Sequence, residues 1–234
     1  MLLETHGIKY DPLHHRLRCN GHIINLTAQA FLFSTDEDAL DSTNNLNSFI
    51  PTEQEMESWR RKGPLGKLHN LVVYIQRSPQ RSASFQLLSS GRKLVRDNKT
   101  RWNSWYSMID CAIHERMKPA IDVYCHQTPD LHEDSLSAEG WINLTHIHRF
   151  LKSFYEVTLA TEGEHATIER VLPTMDFLLD QFELAKTEYP NNPFMGPMIN
   201  SGWAKLDKYY GLTDRSPVYI TSMVMITKPK VDLF

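Results

Sequence analysis

The feature that most limits the fold of this chain is the spacing of its apolar residues, which recurs every three or four positions. Leu65, Leu68, Val72 and Ile75 follow it, as do Leu144, Ile147, Leu151 and Phe154, and a longer set runs Ile168, Val171, Met175, Leu178, Phe182. A helix brings such positions onto one face, whereas a strand needs strict alternation. The spacing predicts helices over these sets, and further ones at about 22–33, 52–62, 80–96, 103–127 and 197–211. Pro173 falls inside the longest set. It either occupies the first turn or kinks the helix, because it lacks an N–H and its ring crowds the carbonyl four residues back. Strand signals are poor: Val72 to Ile75 lies inside a helical period, and Val218 to Ile226 reads equally as a helix with Pro217 at its first position. Loops are expected at 41–51, 128–137, 161–165 and 189–197. The fold class expected is mainly α.

Composition narrows the class further. With 234 residues, 41% hydrophobic and 23% charged, the chain suits one large globular domain or two small ones. No run approaches the ~20 consecutive apolar residues of a membrane helix, so no membrane partner is expected. Met1 to Tyr10 carries Glu4 and Lys9 and no apolar signal core. Three cysteines, Cys19, Cys111 and Cys125, cannot build a disulfide framework and suit a reduced, intracellular setting. The apolar Val231, Leu233 and Phe234 follow Lys228-Pro229-Lys230, which reads as an element cut short.

The net charge of −3 hides two blocks. Ser34 to Ser58 holds seven acids and no Lys or Arg. The stretch that follows holds eleven bases, Arg60, Arg61, Lys62, Lys67, Arg77, Arg81, Arg92, Lys93, Arg96, Lys99 and Arg101, against the single acid Asp97. Such asymmetry is the one-dimensional form of a phosphate-binding face. The plainer reading is a solvated helical face whose charge is answered in space by the acidic block beside it.

Candidate chemistry is sparse. Cys19 and His22 have a C-x-x-H spacing that suits two zinc ligands, with His14 or His15 as a third; a closed site needs a fourth, and Arg16 and Arg18 disfavour a dication, so a helix entry with a buried Cys and His is the stronger reading. His146 and His148 lie on different helical faces and read as surface histidines. Phosphate-loop, dinucleotide, zincin and nucleophile-elbow motifs do not occur. The carboxylates fall on polar helix faces or in loops such as Asp130–Asp134. Thr100-Arg101-Trp102-Asn103-Ser104-Trp105-Tyr106 is dense in aromatics. Thr100 suits a helix cap, and Arg101 and Trp102 suit stacking on nucleobases or clamping of a phosphate. The alternative is that Trp102, Trp105 and Tyr106 anchor a core, a reading that carries more for Trp105 and Tyr106.

Several stretches together resemble the hAT superfamily of DNA transposases, in particular its fungal members. His15 to Leu26 (HRLRCNGHIINL) is similar to the family's R-C-x-x-H-x-x-N-L segment, and Thr100 to Ser104 to its T-R-W-N-S motif. Trp203 to Tyr210 and Ser216 to Tyr219 resemble its K-x-x-K-Y-[WY] and S-P-x-Y signatures, and Phe150-Leu151 to Thr158 resembles its F-L-x-x-F-x-x-x-T helix. The resemblance implies an RNase H-like core interrupted by a large helical insertion, with core remnants at 1–33 and 216–234 and the insertion at 34–215. It also implies strand cleavage and transfer by two Asp and one Glu holding two divalent ions, Mg²⁺ or Mn²⁺. All three acidic positions are expected outside residues 1–234, as are a BED-type zinc finger and a dimerisation segment. No cofactor is therefore expected in this fragment. Cys19 and His22 match the pair that lies near the family's active site, and Arg101 and Trp102 match an Arg-Trp whose indole stacks on a flipped base.

The reading that follows is a transposase-derived nuclear protein, inactive alone, that binds DNA without sequence preference. Arg60, Arg61, Lys62, Arg77, Arg81, Arg92, Lys93, Arg96, Lys99, Arg101 and Trp102 are the expected contacts. The alternative is a helical interaction module that self-associates, or pairs with a full-length transposase, through the stripes at 144–154 and 168–182 if these are left uncovered. A third is a non-functional fragment that folds poorly.

Overall fold

A computed structural model describes residues 17–33, 53–98, 101–163, 167–213 and 215–225. Its described residues form ten α-helices: α1 (Asn20–Leu32), α2 (Glu53–Arg60), α3 (Pro64–Gln76), α4 (Pro79–Leu88), α5 (Trp102–Ile113), α6 (Met117–Gln127), α7 (Ala138–Thr161), α8 (Val171–Glu188), α9 (Met195–Thr213) and α10 (Pro217–Val224). Short 3₁₀ turns cover Pro129–Asp134 and Ile168–Arg170. Among these residues there is no strand, only an isolated antiparallel bridge between Asn98 and Arg101. The expected loop at 41–51 and part of that at 161–165 lie outside the described residues.

Most helices start where the sequence marks a start. Pro64, Pro79 and Pro217 each occupy the first turn, where a missing N–H costs nothing, and the Ser78 hydroxyl caps α4 by accepting from Arg81 N. Pro173 sits in the first turn of α8 and does not kink it. The segment after Pro217 is helical rather than a strand.

Two expected helices are corrected. The one placed at 80–96 stops at Leu88, because Ser90 (φ 56°) and Gly91 (φ 81°) both turn left-handed. Gly91 N then donates to Gln86 O at 2.7 Å, closing the helix end with a Schellman-type bond. The helix placed at 103–127 is two helices, parted at His114 (φ −56°, ψ 140°). The break has a sequence cause that the apolar period masks: Pro119 tolerates a position only in the first turn of α6, so a new helix must begin just before it.

Two compact units share the chain. One comprises Phe33–Lys152 and Asn192–Pro197. In it α2 packs on α3, α3 on α4, α4 on α6, and α5 on α6, and the turn Pro129–Asp134 packs on both α3 and α6. Leu65, Leu68, Val72 and Ile75 of α3 are all buried, together with Trp105, Met108 and Ile109 of α5. Gly66 makes the α2–α3 approach possible: a Cβ there would stand 1.7 Å from the Trp59 carbonyl oxygen. The other unit comprises Met1–Leu32, Ser153–Asn191 and Met198–Phe234. Phe31, Phe154, Phe182 and Leu206 are buried in it, and Asn20 Nδ2 donates to Thr174 Oγ1 at 3.3 Å. Tyr219 of α10 is buried there, and its hydroxyl accepts from Arg18 N at 2.7 Å. The two units follow packing, and one of them groups 153–191 with α1.

The stripes 144–154 and 168–182 are not left uncovered. Leu144, Ile147, Leu151, Phe154, Val171, Met175, Leu178 and Phe182 are all buried, and only Ile168, in the turn before α8, is exposed. Self-association through these stripes is corrected accordingly, since their apolar area is already removed from water. No helix among the described residues is long and apolar enough to cross a membrane.

Candidate nucleic-acid interface

The basic block folds into helices α3 and α4, an extended segment at 92–98, and the start of α5. The extended segment interleaves buried and exposed side chains. Leu94 and Asp97 point inward, three residues apart, while Arg92, Lys93, Val95 and Arg96 are exposed. Its backbone is tied at several points. Ser89 Oγ donates to Arg92 O at 2.6 Å, Gln76 Nε2 donates to Leu94 O at 2.7 Å, and Asn98 N donates to Ser104 Oγ at 2.6 Å.

Asp97 is the polar one of these anchors. Its Oδ1 lies 2.8 Å from His69 Nδ1, and both side chains are nearly excluded from solvent. The imidazole in turn packs against two indoles, 4.1 Å from the Trp59 ring centroid and 5.6 Å from that of Trp105, which themselves lie 5.5 Å apart. A carboxylate can be buried when a donor partner meets it, and here the partner is itself packed in an aromatic cluster. The single acid of the basic block thus pins its irregular part to the core.

The structure sorts the expected contact residues into distinct groups. Arg92, Lys93 and Arg96 are exposed on the pinned segment, Arg92 with Nη1 3.3 Å from His114 Nε2. Arg101, just before α5, and Arg61, after α2, are exposed as well; Arg61 lies 3.5 Å from Glu57. Lys99 lies outside the described residues.

A second group is committed elsewhere. Arg60 is largely buried and meets Glu53 at 2.7 Å, Glu133 at 2.7 Å, Glu57 at 3.7 Å and Asp134 at 3.1 Å. Burial works against its charge, but hydrogen bonds to Asp134 and Glu53 overcome this and hold its basicity above the ordinary arginine value. Such a side chain is an ion-pair hub, not a free phosphate ligand. Lys62 Nζ lies 4.2 Å from the Trp59 ring centroid, and the Arg81 guanidinium lies 3.6 Å over Tyr74 while donating to Tyr74 O. Lys67 donates to Ser135 O at 3.4 Å. Arg77 is half-buried at the C-terminal end of α3.

Trp102 differs from the stacking platform expected of it. The ring is 3% exposed and packs 6.3 Å from Tyr106, so it has no free face for a base. Trp105 and Tyr106 are core anchors, as the packing alternative has it. His148 is also no plain surface residue: it stacks flat on Tyr106 at 4.7 Å and meets Asp110 at 2.8 Å.

Cys19 and His22 are both exposed around the start of α1, not a buried pair, and His14 and His15 lie outside the described residues. Among the described residues no three His, Cys, Asp or Glu side chains gather in a way that suits a metal ion.

Two residues that matter here escape sequence reasoning. Asp134, read as a loop acid, is fully buried, accepting from Arg60 Nε at 3.2 Å and Asn70 Nδ2 at 2.8 Å. His69, inside an apolar helix, anchors Asp97. The isolation of Asp97 among eleven bases was the available signal, since a lone acid in a cationic stretch must find a partner or face solvent.

The model of the ZBED1 RNase-like helical domain matches residues 17–150, more than half of the chain. A curated relative, "Putative transcriptional regulator tpeD" of Talaromyces stipitatus, is 27% identical over 230 residues, covering 92% of this chain. The chain spans about a quarter of that relative's length, 24%. No solved structure matches.

Proposed function

The chain belongs to the family of the ZBED1 RNase-like helical domain and is a hAT-like, transposase-derived protein, and from that premise we propose that it binds DNA without sequence preference through the exposed cations of its basic block. The reading rests on one observation. The segment 92–98 buries Leu94 and Asp97 as anchors and so holds Arg92, Lys93 and Arg96 at the surface, in a fixed array rather than on a loose tail. Fixed cations lose little entropy on meeting a polyanion, and each neutralised phosphate releases condensed counterions. Arg61 and Arg101, exposed as well, add two further cations; Arg60, Lys62 and Arg81 are left out because carboxylates or aromatic rings hold them.

The role proposed for these residues is binding alone, with no cutting step assigned to any of them. A nuclear place of work and a fungal source fit the named relative, a transcriptional regulator of a fungus.

Fluorescence anisotropy with duplex and hairpin DNA over 50–200 mM salt tests the proposal. Five contacting cations give a slope of log K against log salt of about −4.5, hence a loss of roughly 500-fold across that range. Charge reversal of Arg92, Lys93 and Arg96 to Glu should abolish binding, whereas Trp102→Phe should leave the affinity of the folded protein unchanged. Absence of binding at 50 mM salt, or binding indifferent to the triple reversal, refutes it. Metal-dependent nicking by the purified chain refutes the claim of binding alone.

A further inference from the structure

A cavity of about 240 Å³ lies where the C-terminal end of α3, one face of α4 and the extended segment meet. Ile75, Phe85 and Leu94, all buried, form its apolar floor. Its walls are held by bonds of their own. Gln76 Nε2 donates to Leu94 O at 2.7 Å, Ser82 Oγ donates to Ile75 O at 3.0 Å, and Cys111 Sγ donates to Lys93 O at 3.5 Å. The half-buried Gln86 and the exposed Lys93 line the open side. Among the described residues the Gln86 side-chain amide makes no hydrogen bond and Lys93 makes no ion pair. Lys93 thus belongs both to this cavity and to the exposed cations of the segment.

We propose that this cavity receives one unpaired nucleobase of single-stranded DNA, with the phosphate of that nucleotide on Lys93. The floor asks for an apolar body, the amide for an edge with both a donor and an acceptor, and the ammonium for an anion close by. A nucleotide carries all three, and a glutamine amide can meet a base edge with two hydrogen bonds. An aliphatic ligand would fill the floor but leave the amide unpaired. The volume is below the ~300–1,000 Å³ of pockets that enclose drug-sized ligands, which suits one base with its sugar and phosphate outside. A base stacked and paired in a duplex cannot enter, so the site selects unpaired positions. The inference rests on the DNA-binding reading for the source of the base; the cavity itself also takes a free mononucleotide.

Two arms separate these sources. In the first, fluorescence anisotropy compares the full chain on a short single-stranded oligonucleotide and on the same backbone with abasic sites throughout. The intact strand should bind roughly 10-fold more tightly, since the phosphates are equal and only the base is lost. Gln86→Leu, which keeps the bulk and removes the amide, should cut that ratio to below about 3-fold. Lys93→Gln should lower the salt slope by about 0.7 on both strands. The second arm is thermal melting of the full chain with free ligands. For a Kd of about 1 mM, about 10 mM deoxyadenosine 5′-monophosphate should raise the melting temperature roughly 3 °C more than deoxyribose 5-phosphate at equal concentration and ionic strength. Gln86→Leu should lose that base-dependent rise.

Equal binding of the intact and abasic strands, or a Gln86→Leu variant that keeps the full ratio, overturns the base site even if duplex DNA binds as proposed above. If no oligonucleotide binds, the melting arm decides. A base-dependent rise that Gln86→Leu loses upholds the site, and only the reading of DNA as its source falls; no such rise overturns the site as well.

Discussion

Removing the carboxylate of Asp134 isolates the energetic centre of the larger helical unit. The side chain is fully buried and accepts three hydrogen bonds, from Arg60 Nε and Nη2 at 3.2 and 3.1 Å and from Asn70 Nδ2 at 2.8 Å. Breaking a buried pair by deleting one partner costs about 3–5 kcal/mol, chiefly because the surviving charge is left without compensation. Here Arg60 retains Glu53 and Glu133, whose side chains are 77% and 71% exposed, so the lower end applies. Asp134→Ala should therefore destabilise by about 3 kcal/mol and lower Tm by roughly 10 °C. The exposed partners form the control: Glu53→Gln and Glu133→Gln should each cost no more than about 1 kcal/mol, and less still in 1 M NaCl. Urea unfolding followed by tryptophan fluorescence measures all three, with an unchanged m-value showing that only stability has moved. A cost below 1 kcal/mol for Asp134→Ala, or equal costs for all three variants, refutes the assignment of Asp134 as the buried anchor.

Thiol reactivity should rank by burial. Cys19 is exposed, burial pushes the half-buried Cys111 thiol up, and burial pushes the Cys125 thiol up to about 12. A thiol held there is only about one part in ten thousand thiolate at pH 8, so iodoacetamide should label Cys19 first, Cys111 slowly and Cys125 only after denaturation. Equal labelling of Cys19 and Cys125 in native buffer, read by mass spectrometry, contradicts this order. At Gly66, an alanine methyl would collide with the Trp59 carbonyl oxygen, so Gly66→Ala should cost about 3 kcal/mol or more. Gly211→Ala, with nothing within 4 Å of the new methyl, should be neutral or gain up to about 1 kcal/mol in the same urea experiment.

The helices were legible where apolar spacing and a start signal agree. Leu65 to Ile75 and Leu144 to Phe154 are buried stripes on helices, and Pro64, Pro173 and Pro217 mark first turns. Boundaries failed where a local signal opposed the period. Ser89-Ser90-Gly91 ends α4 eight residues before the expected stop, and His114 parts α5 from α6 ahead of Pro119. The site was legible as a charge count and illegible as a surface. Eleven bases in one stretch are visible to any reader, yet nothing in the residue order tells Arg60, held by four carboxylates, from Arg96, which faces solvent. The same holds for Trp102, whose place in the motif invites stacking while its ring is buried.

Local information alone determined that this chain is helical, that its basic residues cluster in one stretch, and that its motifs resemble those of hAT transposases. Helix period, proline geometry and net charge depend on neighbours within a few residues, so they survive in one dimension. Tertiary structure decided which cations remain exposed and that His69 and Asp97 pin the irregular segment. The second depends on residues 28 positions apart meeting in space. Coulomb energy and desolvation follow that distance, not the order of residues along the chain.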